Sequence, residues 1–212
     1  SDSSTPLEQT VVRSFTTVSS LTDVVAPQII HRPVMQMATG GDRTIFSRVT
    51  DNIATTTSTP ALSSTLKYCN SSSSCDPTSG TSVAGTLVGA GYFKYVIPQA
   101  VVDHANTTAN GLRYFLMATD GTNTTNFKQP DGTSPFSISI AALATTHKLA
   151  GITTDSTSAC LAGVTVFADG TTFSNIASAT TCAGGVYSLG SIPPGSYDIV
   201  AFKEGYGEKR MQ

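Results

Sequence analysis

Apolar residues in this chain recur with a period of two over short runs, and polar or turn-forming clusters separate the runs. Arg43-Thr44-Ile45-Phe46-Ser47-Arg48-Val49-Thr50, Tyr92-Phe93-Lys94-Tyr95-Val96-Ile97 and Phe136-Ser137-Ile138-Ser139-Ile140 are each rich in β-branched or aromatic side chains and alternate as half-buried strands do. Helical periodicity is nearly absent: residues 99–104 are expected to make at most a helical turn, which the Asn-containing run at 106–110 stops. The pattern predicts an all-β fold made of two tandem β-sandwiches, with an extra N-terminal strand.

Residues 26–144 hold one set of strands and residues 147–212 a second, joined by a short linker at 143–147 that should place the modules end to end. Ahead of both, residues 1–25 form an extension whose segment 10–18 favours strand. Leu7, Val11 and Phe15 lie on one face of an extended chain, with Val12 and Val18 on the other. Apolar residues so sparsely spaced suit an inserted strand better than a central one, which makes Val11, Val12, Phe15 and Val18 candidate donor-strand residues.

The second module carries the most specific pattern. Lys148-Leu149-Ala150-Gly151-Ile152-Thr153-Thr154-Asp155 is followed by Leu161-Ala162-Gly163-Val164-Thr165-Val166, then Gly184-Gly185-Val186-Tyr187-Ser188-Leu189, Pro193-Pro194-Gly195-Ser196-Tyr197-Asp198-Ile199 and Glu204-Gly205-Tyr206. This order resembles the carboxypeptidase regulatory-like, or transthyretin-like, family. The resemblance implies an accessory β-sandwich without catalytic residues, and a further strand after the Gly-Tyr corner. Residues 207–212 are mostly charged or polar, so the sandwich is expected to lack that last strand and to expose an apolar groove. A related branch, the Cna B-type domains, forms Lys–Asn isopeptide bonds; Lys148 stands near the right place, but no Asn follows Gly195, so no such bond is expected. The first module more loosely resembles bacterial immunoglobulin-like and fibronectin type III-like modules, through Pro27-Gln28-Ile29, Val49-Thr50-Asp51-Asn52, Tyr92 to Pro98, and Tyr114-Phe115-Leu116-Met117-Ala118-Thr119-Asp120.

Composition narrows the partners. With 12 basic and 14 acidic side chains and a net charge of −2, the chain has no electrostatic footprint for nucleic acid or anionic membrane, and no apolar run approaches the ~20 residues that span a bilayer. Four cysteines allow three connectivities; their local spacing favours two disulfides, Cys69 with Cys75 and Cys160 with Cys182, and so an extracellular or cell-surface location. Asn70, Asn106 and Asn123 each begin an N-glycosylation sequon.

Candidate chemistry is sparse. His31, His104 and His147 read as surface or loop histidines, no nucleophile elbow or two-histidine metal spacing occurs, and Asp51, Asp103, Asp120 and Asp131 sit beside turn residues that such side chains stabilise. A calcium site from Asp51 and Asp120 lacks the spacing of a calcium loop, so no metal and no cofactor is expected. Gly89-Ala90-Gly91 is expected as a turn before Tyr92. The resulting expectation is a non-enzymatic extracellular structural protein that self-assembles head to tail, residues 10–18 of one copy entering the incomplete sandwich of the next. The competing reading is an adhesion or glycan-binding accessory module, for which Tyr92, Tyr95 and Tyr114 would supply an aromatic platform.

Overall fold

The computed structural model describes residues 23–52, 61–70, 76–107, 111–142, 147–170 and 178–212. The donor segment with Val11, Val12, Phe15 and Val18, together with Cys75, lies outside the described residues. The first module comprises β1 (Gln28–Ile30), β2 (Gln36–Ala38), β3 (Arg43–Thr50), β4 (Ser63–Cys69), β5 (Thr81–Ala84), β6 (Thr86–Gly89), β7 (Tyr92–Ile97), the helix α1 (Gln99–Thr107), β8 (Leu112–Thr119), β9 (Thr124–Phe127) and β10 (Phe136–Ala141). The second comprises β11 (His147–Ile152), β12 (Thr165–Gly170), β13 (Ser178–Thr180), β14 (Val186–Ile192), β15 (Tyr197–Phe202) and β16 (Lys209–Met211).

The first module is a sandwich of a four-stranded sheet, β1-β3-β7-β6, and a six-stranded sheet, β2-β10-β8-β4-β5, in which β9 continues the edge that β10 begins along β8. Pairing is antiparallel except for β2, which runs parallel to β10. Alternate residues of both sheets, among them Ile45, Val49, Tyr95, Ile97, Leu66, Leu116 and Ile138, meet in one dry core. Helix α1 is longer than the expected turn, because Val102 and Ala105 dock into that core and the Asp42 carboxylate accepts from the Gln99 amide at its start. The two sheets are also joined by buried hydroxyls: Tyr95 Oη donates to Ser64 Oγ at 2.5 Å, Ser64 Oγ donates to the Met117 carbonyl at 2.9 Å, and Ser47 Oγ lies 2.8 Å from Tyr95 Oη.

The second module is a smaller sandwich with unequal layers, a four-stranded sheet β13-β12-β15-β16 facing a two-stranded sheet β11-β14. Its core gathers Val164, Val166, Ala168, Tyr187, Leu189 and Ile192, with Ala38 of the first module packed against it. Residues 207–212 do not leave the chain strandless, as the sequence suggested. β16 pairs antiparallel with β15 in the register Ile199 to Met211, Val200 to Arg210 and Ala201 to Lys209, since backbone pairing at a sheet edge needs no apolar side chains.

The modules do not sit end to end. Sheet β1-β3-β7-β6 turns its outer face onto sheet β13-β12-β15-β16, and four aromatic rings fill the contact: Phe46 stacks on Phe167 at 4.6 Å and Tyr92 on Phe202 at 4.1 Å between centroids. The molecule is therefore four β-layers deep. Each of these rings lies out of phase with its own module's core, and burying four such rings between sheets contributes several kcal/mol. All six residues of β12 are buried for the same reason, since both faces of that strand are covered.

His31 is no surface histidine. It is half-buried, edge-on to Tyr114, Phe127 and Phe136; its Nδ1–H donates to the Phe46 carbonyl at 2.7 Å, so Nε2 accepts from Tyr114 Oη at 2.8 Å, while the Val34 amide donates to that same Oη at 2.8 Å. Burial lowers its pKa from 6.5 to about 4, keeping the imidazole neutral. Between those values the unfolded chain binds the proton and the fold does not, so stability present at neutral pH is lost as pH falls from 6.5 towards 4, by on the order of 3 kcal/mol. Denaturant melts at pH 7 and pH 4 are expected to show this loss in the native chain and to show it reduced by that amount in His31→Gln.

Candidate functional site

The unequal layers of the second module create its most distinctive surface. β14 packs against β12 and β13, and Ile152 at the end of β11 shares a groove with Ile199 and Ala201 of β15. β14 takes one edge of β11, and among the described residues no strand pairs with the other. The groove has a volume of about 530 Å³. Val164, Val166 and Tyr187 line its depth, Ile152 and the 153–156 loop one bank, and Ile199, Ala201, Tyr206 and Met211 the other.

Burial along β15 is inverted by this opening. Val200 and Phe202, which point away from the module's own interior, are fully covered by the first module, whereas Ile199 and Ala201, which point into the sandwich, are only half-buried. β11 behaves likewise: Leu149 pairs directly with Leu189, which is wholly buried, yet remains 37% exposed. Ile152 at 61% and Met211 at 48% exposure border the same opening. Gly151 is required in β11 because a Cβ there would lie 2.6 Å from the Tyr187 hydroxyl, so the ring packs directly on the strand's backbone. The lining includes three charged residues, Asp155, Lys203 and Lys209; Lys203 is tied back, its Nζ donating to the Ala162 carbonyl at 2.9 Å. Apolar side chains beside an unpaired strand edge offer pockets and backbone partners to an added strand.

The bank formed by β16 is fastened to the first module. Tyr92 Oη donates to Glu208 Oε2 at 2.6 Å, the Ala90 amide donates to Glu204 Oε2 at 2.7 Å, and Arg48 lies 4.0 Å from Glu208. Arg32 and Arg210 clamp two neighbouring carboxylates: Arg32 reaches Asp198 at 3.2 Å and Asp169 at 3.5 Å, and Arg210 reaches Asp169 at 3.2 Å. Burial raises the pKa of Asp169, and both arginines oppose that rise. Gly89-Ala90-Gly91 is the turn the sequence suggested. Ala90 and Gly91 both have positive φ, 51° and 77°, as a two-residue hairpin of type I′ requires, and a Cβ at Gly89 would lie 2.8 Å from the Glu204 nitrogen.

The remaining sequence candidates fall elsewhere. Tyr95 and Tyr114 are buried in the first core and Tyr92 between the modules, so these three rings form no aromatic platform. Cys69 is disulfide-bonded, while Cys160 and Cys182, expected as partners, are both free and exposed; the Cys182 thiol donates to the Val186 carbonyl at 3.4 Å. The Asn123 side chain closes its own loop, donating to the Asp23 carbonyl at 3.2 Å and to Asp120 at 3.1 Å. Asp51 and Asp120 do come together, joined by Asp23, with carboxylate oxygens within 4.8 Å of one another. The Asp120 carboxylate already accepts from the amides of Thr122 and Asn123, which hold its pKa below the ordinary range, and proximity of carboxylates does not by itself make a cation site.

Fold and groove together define a tandem β-sandwich protein whose second sandwich is open on one side. Residues 148–212 match the family model of the carboxypeptidase regulatory-like domain, so the second module is a domain of that family, an immunoglobulin-like type that is typically non-catalytic. Comparison of the chain with curated proteins finds no match.

An apolar fluorescent dye is expected to bind the open groove of the monomer. Ala201→Trp, which places an indole between the banks, should abolish most of that signal while leaving the unfolding midpoint nearly unchanged.

Proposed function

We propose that this protein is a non-catalytic extracellular structural subunit that assembles head to tail into a surface filament, residues 10–18 of one copy adding as a strand beside β11 of the next. The observation that supports this reading is the half-buried interior face of β15, Ile199 and Ala201, next to the unpaired edge of β11. An incoming strand would take its affinity from backbone pairing along β11 and its register from Val11 and Phe15 entering the groove. Each such side chain, once buried, contributes about 1.5–3 kcal/mol, so two anchors and a ladder of backbone bonds suffice for a long-lived junction. A surface that donates at one end and accepts at the other is heterologous, and heterologous contacts propagate. The disulfide at Cys69 fits an oxidising compartment. The competing reading, an adhesion or glycan-binding module, has no exposed tyrosine platform at Tyr92, Tyr95 or Tyr114 behind it.

Electron microscopy of the purified chain tests the proposal. Filaments are expected from the native sequence and from no preparation lacking residues 1–22, and a peptide of residues 10–18 should bind the shortened chain. Polymers that persist after the deletion, or a native chain that stays monomeric at high concentration, overturn it.

A further inference from the structure

The groove lies within the second module, yet one of its banks is held by side chains of the first. β16 contributes three exposed residues, and each pairs with β15 alone. A three-residue edge strand whose one apolar side chain, Met211, is 48% exposed has little to hold it, because backbone bonds exposed to water contribute about 1 kcal/mol each and open readily. Its anchorage comes from polar contacts to the other module. Tyr92, already fixed by its stack on Phe202, donates to Glu208 at 2.6 Å, one residue before β16 begins. The Ala90 amide donates to Glu204 at 2.7 Å at the start of the turn. Arg32 holds Asp169 and Asp198, the two carboxylates that receive Arg210 from β16 itself.

We infer that Tyr92 and Arg32 of the first module are positioning residues for the groove of the second: they hold the 203–211 hairpin against β15 and so fix the width of the opening between β11 and β16. The two-module chain, not the second module alone, is then the unit that accepts a strand. This inference rests on the strand-acceptance reading for its functional meaning, but its structural content stands apart from assembly.

The test uses the full chain under conditions where it is monomeric. Tyr92→Phe keeps the ring stack and removes the donor to Glu208; Arg32→Met keeps the length of the side chain and removes the charge. Hydrogen exchange over residues 203–212 is expected to accelerate about tenfold in each variant, as loss of a hydrogen bond to a charged acceptor implies, with exchange in β3 and β8 unchanged. The peptide of residues 10–18 should bind both variants more weakly than the native chain. Unchanged exchange over 203–212 in both variants overturns the inference. Accelerated exchange in a chain whose native form binds no peptide supports the positioning role and removes strand acceptance instead. A variant that loses protection throughout the molecule overturns the local role and makes these contacts general determinants of the fold.

Discussion

A two-stranded sheet cannot cover a four-stranded one, and the surface of the second module follows from that mismatch. Strands in adjacent sheets must overlie each other to exclude water from the side chains between them. β14 overlies β12 and β13, and among the described residues no strand covers the groove beside Ile199 and Ala201 of β15. The consequence is legible residue by residue in β15, where the side chains that belong inside are wetter than those that belong outside. Unpaired strand edges beside apolar surface are ordinarily suppressed because they recruit other strands.

The same strand shows why the module tolerates being open. Its outer face, carrying Val200 and Phe202, is sealed by Phe46 and Tyr92, so the aromatic contact supplies a second core that does not depend on closing the first. Both faces of β12 are dry on this account, one against β14 and one against the neighbouring module. The joint between modules thus secures the sheet from its outer face, apart from the groove on its inner one. Asp169 sits where the two requirements meet, buried beside the aromatic joint and shared by arginines from both modules.

Much of this was readable in the sequence, and the rest was not, for physical reasons. Period-two alternation marks β3, β7 and β10, and the Gly-Tyr and Pro-Pro-Gly signals mark the second module, because strands and turns are local. Placement of the modules is not local. Phe46 beside Ile45 and Tyr92 beside Phe93 break the alternation, and that is the one signal in the sequence that these strands are covered on both faces. The charged run at 207–212 reads as too polar for a strand, yet it forms β16, because charged residues can pair as an edge strand through their backbones. His31 was read as exposed since a lone histidine carries no mark of its neighbours; only the fold brings Tyr114 to its ring. Cys160 and Cys182 are close enough in sequence to suggest a bond, whereas in the structure both thiols are free.

Backbone amides report directly whether the edge of β11 accepts a strand, as proposed. Hydrogen exchange over residues 147–152 should be fast in the monomer, because one edge of the strand is unpaired, and should slow by about an order of magnitude or more in the assembled protein, when an added strand takes up those amides. Assemblies in which exchange over 147–152 matches that of the monomer would contradict the account.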